Sequence, residues 1–359
     1  MEFTWPDLLT RLIHGEDLPA PETDWAMAEI LAGNASPAQL AGFMVALRAK
    51  GETVSEIKSL ADGMLAMATP TGLPQDAVDV VGSGGDRANT VNISTMAAIV
   101  AASAGVPVVK HGNRAASSMC GTADCLEALG VVIDLPPRRQ PAILAECGLV
   151  FLFAPLYHGA LRHAGPTRRE LGIQTTFNFL GPLANPARPV AQAIGVANRH
   201  MAGLVAGVLA ERGSRGLVFH GDDGLDELST TGPSRVWLIN DGEVTAGELD
   251  PTGLGVPVAR MADLTGGDPQ HNAQVVRELL AGKPGPVRDI VLLNAAAALL
   301  AFDGPNLARP VDAQLSGPLQ LAAQAIDSGA AGDLLDRWVT ATRVAAGHQV
   351  HEYRKDPRR

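Results

Sequence analysis

The fold of this chain is indicated most clearly by residues 78–86, which are Val78-Asp79-Val80-Val81-Gly82-Ser83-Gly84-Gly85-Asp86. The apolar part is typical of a short buried strand, and the glycines favour a tight turn after it. Asn92-Ile93-Ser94-Thr95 then opens an apolar, Ala-rich helix, and a second apolar run at 106–109 leads into Lys110-His111-Gly112-Asn113-Arg114. Backbone N–H groups at a glycine turn and at a helix N-terminus bind oxyanions. Together with the Lys and the Arg, these segments predict a ligand that carries more than one phosphate.

Short apolar runs alternate with helical segments from residue 78 onward. The runs predicted to be strands are 78–81, 106–109, 131–135, 150–153, 191–196 and 217–220. Helices fit between them, for example over residues 122–129 and 141–147. This alternation predicts an α/β domain whose central sheet is mixed and mostly parallel. Asn240-Asp241-Gly242, between apolar runs, predicts a hairpin turn.

The segments on either side of this α/β pattern are predicted to be helical. Ser36-Pro37 has the residues of an N-cap followed by Pro at the first helical position, and Thr53-Val54-Ser55-Glu56 is a capping box. The stretch 69–74, rich in Pro and Gly, predicts a linker. Residues 272–344 are again expected to be mostly helical, and residues 351–359 are predicted to be a frayed tail.

Composition limits the class of protein and its partners. The chain has 359 residues, enough for about two domains. Its 28 basic and 38 acidic residues give a net charge of −10, which argues against a general polyanion-binding protein, and only two Tyr and four Trp are present to stack on bases. No nucleic-acid partner is therefore expected. Three cysteines without CxxC spacing, a start without a secretory pattern and apolar stretches too short to span a bilayer predict a cytoplasmic protein with no membrane partner.

Each motif has an alternative interpretation when it is taken alone. A dinucleotide fingerprint needs Gly at position 87, where Arg87 stands, and no lysine follows the turn at P-loop spacing, so the turn also fits a purely structural strand-to-helix connection. The four carboxylates within residues 220–227 fit either a solvated surface or a Mg²⁺ site, since Mg²⁺ prefers one or two carboxylates plus ligand phosphates. Arg168 fits either an ordinary charged helix surface or a bidentate partner for a carboxylate ligand.

Seven motifs in register resemble the anthranilate phosphoribosyltransferase family. They are Gly82-Ser83-Gly84-Gly85-Asp86, Asn92-Ile93-Ser94-Thr95, Lys110-His111-Gly112-Asn113-Arg114, Phe153-Ala154-Pro155, Arg162-His163, Gly181-Pro182-Leu183-Ala184-Asn185-Pro186 and Asp226-Glu227. Their order and spacing agree with the family from about Leu8 to about Val344. Each is weak alone, but seven in register are highly specific.

The resemblance implies a fold and a reaction. A small all-helical domain would be formed by residues 1–73 and 165–188, and a large α/β domain by residues 74–164 and 189–350, with the active site in the cleft between them and a homodimer formed through the helical domain. The implied reaction transfers the phosphoribosyl group of 5-phosphoribosyl 1-pyrophosphate (PRPP) to anthranilate in tryptophan biosynthesis, with Mg²⁺ as the cofactor. Because the amine of anthranilate is neutral and already nucleophilic, no residue is nominated as general acid or base.

The resemblance also implies the substrate contacts, residue by residue. PRPP would be bound by Gly82, Gly85, Asp86, Thr90, Asn92, Ile93, Ser94, Thr95, Lys110, His111, Gly112, Asn113, Arg114, Ala115, Ala116, Ser117, Ser118 and Thr122. Anthranilate would be bound by Gly82, Asn113 and Arg168, with Arg168 as the partner of its carboxylate. Mg²⁺ would be held by Ser94, Asp226 and Glu227.

A few positions depart from the family pattern. Ser83 stands where Thr is usual, Met119-Cys120 stand where Lys-Ser is common, and Thr122 stands where Ser is common. Met119 therefore removes a charge that would assist the pyrophosphate.

Two other functions share part of the pattern. Pyrimidine nucleoside phosphorylases share the architecture and a Gly-Thr-x-Asp stretch, here Gly121-Thr122-Ala123-Asp124, but their phosphate loop differs. A non-catalytic nucleic-acid-binding relative would have a basic surface and eroded Mg²⁺ or anthranilate positions, whereas this chain is acidic and retains them.

Overall fold

The computed structural model of the chain describes residues 3–115 and 119–347. Four helices come first: α1 (Trp5–Ile13), α2 (Ala20–Ala32), α3 (Pro37–Lys50) and α4 (Val54–Ala66). At the start of α3, the Ser36 hydroxyl accepts from the Gln39 N–H at 3.3 Å, and the Gln39 side chain accepts from the Ser36 N–H at 2.8 Å. Thr53 and Glu56 are paired in the same way at the start of α4. These bonds satisfy N–H groups that have no partner within the helix, and they confirm both predicted helix starts.

A seven-stranded sheet forms the centre of the larger part of the chain. Its strands are β1 (Val78–Gly82), β2 (Val108–Gly112), β3 (Leu149–Phe153), β4 (Ala191–Gly195), β5 (Arg215–Gly221), β6 (Ser234–Asn240) and β7 (Glu243–Leu249), in the spatial order β3-β2-β1-β4-β5-β6-β7. Strands β1 to β5 are parallel to one another, and β6 pairs antiparallel with both β5 and β7. This arrangement confirms the mixed, mostly parallel sheet. Asp241 and Gly242, with φ of 50° and 79°, form the predicted hairpin turn between β6 and β7.

Helices cover both faces of this sheet. The helices after the first four are α5 (Ile93–Ser103), α6 (Thr122–Leu129), α7 (Gln140–Cys147), α8 (Ala154–Tyr157), α9 (Gly165–Leu171), which packs on α3, α10 (Arg199–Glu211), α11 (Pro269–Leu280), α12 (Pro286–Asp303), α13 (Asp312–Asp327) and α14 (Ala330–Ala345). Ala193 and Phe219 pack in one core with α5 and α12, whereas Ile194 and Val218 pack in another core with α10 and the N-terminal helices. Burial on both faces explains why the strands are nearly continuous apolar runs. Within the described ranges, no helix has the length and apolar character needed to cross a membrane.

Two strand predictions need correction. Residues 131–135 form no strand: alternate side chains are buried in the large core, but the Val132 N–H donates to Thr342 Oγ1 at 3.2 Å. Alternating burial against helices produces the same apolar period as a half-buried strand, so the pattern was misleading. The strand predicted at 106–109 instead begins at Val108 and ends at Gly112, so Lys110 lies within β2 and not in the loop after it.

The segment around and after α9 packs against the N-terminal helices. Helix α9 contacts α3, and Phe177 and Leu183 share a core cluster with Phe43. The Thr176 hydroxyl donates to the buried Glu52 carboxylate at 2.6 Å. The chain therefore combines a small helical domain with a larger α/β domain, and these contacts support a discontinuous helical domain whose boundaries stay predictions. The tail predicted at 351–359 lies outside the described residues.

Candidate active site

The glycine turn after β1 lies where the order of the strands in the sheet reverses. Strands β1 and β4 are neighbours, and open α/β sheets bind ligands at the carboxyl ends of strands at such a point. Asp226 lies across both strand ends. Its Oδ2 accepts from the Gly84 N–H at 2.6 Å, and a Cβ at Gly82 or at Gly195 would overlap atoms of Asp226. Glycine at both strand ends therefore lets the Asp226 loop approach the turn.

A buried lysine lies beneath the turn. Lys110 is only 1% exposed, and its Nζ donates to the Val80 carbonyl and, at 3.2 Å, to Ser94 Oγ. Burial lowers the pKa of Lys110, while the nearby carboxylates, Asp79 foremost, act in the opposite direction. The hydroxyl of Ser94 is thus bonded to a basic group that no solvent reaches.

Three acidic side chains gather at the same place. Burial, followed by the charge of Asp86, raises the pKa of Asp226 to about 7. Burial, followed by the charge of Asp226, raises the pKa of Glu227 well above its usual value, although Lys110 favours the charged form. Removing carboxylates from water is unfavourable unless a cation compensates them, and Lys110 is shared among Asp226, Glu227 and Asp79. An additional cation would therefore be stabilised here.

The loop after β2 is closed at its base by Asp124. The Asp124 carboxylate accepts from the Gly121 N–H at 2.9 Å and from the Ala115 N–H at 3.1 Å. A Cβ at position 121 would overlap the backbone of Ala115, so this close approach requires glycine. Arg114 pairs with Asp124 at 2.8 Å and with Glu127 at 2.5 Å. Its charge is therefore already compensated within the protein.

The N-terminus of α5 completes a first cavity. Asn92 is the N-cap residue, but its side chain makes no bond to the first turn of the helix. Instead Nδ2 donates to the Cys120 carbonyl at 3.2 Å, and Oδ1 accepts from Asn272 Nδ2 at 2.8 Å. The helix N-terminus is thereby left available to an anion. The glycine turn, the start of α5 and the loop after β2 together line a cavity of about 310 Å³.

A second cavity, of about 690 Å³, adjoins the first along the glycine turn. It is lined by the turn on one side and by α9 and the residues after it on the other, including Arg168. Arg168 is half-buried, and burial lowers the pKa of its guanidinium. Among the residues that the structure describes, no carboxylate lies within ion-pair distance of Arg168. Such a cation is suited to an external carboxylate.

Known proteins match this chain over nearly its whole length. Two family models match it: the helical bundle domain of the glycosyl transferase family at residues 6–68, and the a/b domain of the same family at residues 74–332. The anthranilate phosphoribosyltransferase of Thermobifida fusca is 56% identical over 345 residues, which are 96% of this chain and 99% of that protein. The one from Arthrobacter sp. is 57% identical over 340 residues, 95% of this chain and 96% of that protein. The chain belongs to the anthranilate phosphoribosyltransferase family.

Solved structures of anthranilate phosphoribosyltransferases have the same fold. The crystal structure from Thermus thermophilus matches with a TM-score of 0.85 at 42% identity, covering 94% of this chain and 99% of that one. The Saccharomyces cerevisiae structure in complex with PRPP and Mg matches with a TM-score of 0.85 at 27% identity, covering 96% of this chain and 99% of that one. These matches confirm the family and the architecture that the seven motifs implied.

Most of the residues nominated for PRPP from the anthranilate phosphoribosyltransferase motifs line the first cavity. They are Gly82, Gly85, Asp86, Thr90, Asn92, Ile93, Ser94, His111, Gly112, Asn113, Arg114, Ala115 and Thr122, and Asp226 and Glu227 line it with them. Thr95 and Lys110 are buried behind its wall. Arg168 lines the second cavity, whereas Gly82 and Asn113, nominated with it for anthranilate, line the first. Ala116, Ser117 and Ser118 lie outside the described residues.

The metal ligands nominated from the family motifs fit Mg²⁺. Ser94, Asp226 and Glu227 are on the wall of one cavity, where the two acids are buried together. In the described ranges, no group of three or more His, Cys, Asp or Glu side chains is placed to hold a metal ion. Mg²⁺ is commonly held by one or two carboxylates, with phosphate and water oxygens completing its coordination. Two carboxylates and a hydroxyl match that pattern.

Sequence reasoning missed polar residues that reach the site from remote segments. Gln174 lines the second cavity, and its Nε2 donates to the Gly85 carbonyl at 3.1 Å. Asn272 of α11 bonds to Asn92. Neither residue belongs to a motif with a chemical meaning of its own, so no signal in the sequence pointed to it. Arg87 lines both cavities. It lies next to Asp86 in the same turn, and this position in the sequence could have indicated that it belongs to the site.

Proposed function

We propose that this chain transfers the phosphoribosyl group of PRPP to anthranilate, which yields N-(5-phosphoribosyl)anthranilate and pyrophosphate, a step of tryptophan biosynthesis. The proposal rests on one observation above all: two cavities meet along a single glycine turn. The first combines backbone donors with buried carboxylates, and the second contains Arg168, a cation with no ion pair in the described residues. The first is suited to a pyrophosphate with its metal ion, and the second to an aromatic carboxylate. Relatives more than half identical to this chain are named anthranilate phosphoribosyltransferases.

PRPP is assigned to the first cavity. The N–H groups of the glycine turn and the positive end of α5 would stabilise the pyrophosphate. Lys110 cannot touch the ligand from its buried position, so it acts through Ser94, to which it donates. Because Arg114 is already paired with Glu127, the loop after β2 contributes chiefly through its backbone and Asn113. The other PRPP contacts nominated from the motifs remain part of this proposal.

Anthranilate is assigned to the second cavity, with its carboxylate on Arg168. Guanidinium and carboxylate groups form two parallel hydrogen bonds, which fix the plane and the direction of the ligand. The amine would then point toward the glycine turn and the first cavity, where Gly82 and Asn113 would flank it as it faces C1 of the ribose.

The chemistry follows from these positions. The bond between ribose C1 and the pyrophosphate oxygen breaks, and the pyrophosphate leaves with the electron pair. A bond between C1 and the anthranilate nitrogen forms, and the nitrogen releases one proton to water or to the departing pyrophosphate. Donors placed in advance around the departing pyrophosphate are commonly the largest catalytic contribution in such a site. Since the amine is neutral and nucleophilic, its orientation beside C1 supplies much of the remaining rate. No general acid or base is assigned.

Ser94, Asp226 and Glu227 are the residues assigned to hold Mg²⁺. This assignment is supported by the burial of Asp226 and Glu227, whose carboxylates repel each other beside the Ser94 hydroxyl. When bound, the ion neutralises charge on the departing pyrophosphate. A yeast relative has been solved with PRPP and Mg, which supports the same cofactor here.

The proposal includes a homodimer and a cytoplasmic location. Ile13 of α1 is 72% exposed and Val45 of α3 is 41% exposed, so the helical domain presents apolar surface that a second copy would cover. None of the three cysteines, all of which are described, forms a disulfide, as expected in a reducing compartment. Light scattering after size-exclusion chromatography would test the dimer: a single monomer-sized species contradicts it.

The decisive assay mixes the protein with Mg²⁺, PRPP and anthranilate and follows the loss of anthranilate fluorescence together with the release of pyrophosphate. We expect turnover that needs all three and that stops when EDTA removes the metal. The contrary result is no turnover of anthranilate combined with phosphorolysis of thymidine or uridine, which would make the chain a nucleoside phosphorylase.

A further inference from the structure

Gln174 connects the segment that carries Arg168 to the glycine turn. Its side-chain amide donates to the Gly85 carbonyl at 3.1 Å. Gln174 follows α9 by three residues, and Thr176, two residues further on, is bonded at 2.6 Å to the buried Glu52 between α3 and α4. The amide is therefore held from the side of the helical domain and bonds to a turn of the α/β domain.

The turn is shaped to receive this amide. Gly85 has a φ of +87°, and a Cβ there would overlap Gln174 Nε2. On its other side, the turn is held by the bond from the Gly84 N–H to Asp226. The Ser83 N–H also donates to the Gly195 carbonyl at 2.9 Å, so the turn is held at the ends of β1 and β4 on one side and is bonded to the α9 segment through Gln174 on the other. Within the described residues, no further hydrogen bond joins residues 83–92 to residues 165–178.

We infer that Gln174 is a positioning residue, which sets the anthranilate site on Arg168 at the correct distance from the turn that binds PRPP; this inference rests on the proposed function. Without the amide, Asp226 still holds the turn, and α9 still packs on α3. Each substrate therefore keeps its own site. What is lost is the alignment of the amine with ribose C1, on which the rate of such a reaction depends.

The test compares Gln174→Ala and Gln174→Glu with the wild-type enzyme. Gln320→Ala, at an exposed glutamine of α13, is the matched control. For Gln174→Ala, kcat/KM for anthranilate should fall about 2- to 10-fold, the effect of one neutral hydrogen bond, while the KM for PRPP changes less than about twofold. Gln174→Glu should lose more than Gln174→Ala, because a carboxylate oxygen would face the Gly85 carbonyl where the amide donated. Thermal melting of each variant separates these effects from a loss of folding.

The inference fails if Gln174→Ala matches Gln320→Ala, and also if Gln174→Glu is as active as the wild type, since Gln174 would then only fill space. If the wild-type enzyme itself does not convert anthranilate, the proposed function fails instead. A second measurement uses Gly85→Ala in both backgrounds. Because Gln174→Ala removes the overlap with the new methyl group, Gly85→Ala should cost less activity in that background. Equal losses in the two backgrounds contradict the contact.

Discussion

Replacing Arg168 with alanine should raise the KM for anthranilate and leave the fold intact. The guanidinium lines the 690 Å³ cavity and has no ion pair in the described part of the chain. Burial has already removed part of its hydration, so a bound carboxylate displaces less water than it would at a fully exposed arginine. A hydrogen bond to a charged group contributes about 1.5–3 kcal/mol, and since about 1.4 kcal/mol is tenfold in affinity, KM should rise about 10- to 150-fold.

The charge and the geometry of Arg168 can be separated. Arg168→Lys keeps the charge but loses the two-pronged geometry, so its KM should lie between those of the wild type and Arg168→Ala. Arg168 forms no ion pair with the described residues, so its removal breaks no ion pair among them. The free energy of unfolding of Arg168→Ala should therefore change by less than about 0.5 kcal/mol. Arg337→Ala, at an exposed position of α14, is the matched control.

The measurements are anthranilate fluorescence decay at saturating PRPP and Mg²⁺, and urea unfolding of each variant. An unchanged KM for anthranilate in Arg168→Ala would refute the assignment of the carboxylate to this residue. A large loss of stability would show that Arg168 has a structural role, and the kinetic result could then not be attributed to lost substrate contacts.

The remaining predictions concern the acidic residues. Asp226→Asn with Glu227→Gln should abolish Mg²⁺-dependent turnover while the protein stays folded; full activity at limiting Mg²⁺ would contradict the metal assignment. Burial raises the pKa of Asp62, but bonds from Lys58 and Arg212 outweigh it, so the pKa is lowered overall. Its ionised form therefore adds stability above the unfolded pKa of about 4, and this contribution disappears as the pH falls through the lower folded value. Urea unfolding of Asp62→Asn should accordingly show a deficit at pH 6 that shrinks toward pH 3, and a constant deficit would exclude this linkage.

Features that depend on neighbours in the chain could be predicted from the sequence. The capping boxes at Ser36 and Thr53 use partners three residues away, and the turn at Asp241-Gly242 depends on which residues tolerate positive φ. The same is true of the glycine turn and the start of α5. For this reason, most of the residues nominated for PRPP do line one cavity, although their individual roles stay predictions.

Features that depend on remote partners could not be predicted. Lys110 looks like a loop lysine, yet it is buried in β2, where Val80, Ser94 and acidic groups compensate its charge. Residues 131–135 have the period of a strand but no strand to pair with. Gln174 belongs to no recognisable motif, and its place in the site depends on a hydrogen bond to Gly85, which is 89 positions away in the sequence.

By itself, the sequence determined the alternation of strands and helices, the positions of the two segments predicted to bind anions and, through its motifs, the family. Only the tertiary structure decided that Asp226 crosses the ends of β1 and β4, that Lys110 lies beneath the site and that Gln174 holds the turn to the segment of Arg168. The physical reason is the separation along the sequence between the residues that interact. Caps and turns are formed by bonds between near neighbours, whereas the burial of a charge and the distance between two substrates depend on which strands and helices the folded chain brings side by side.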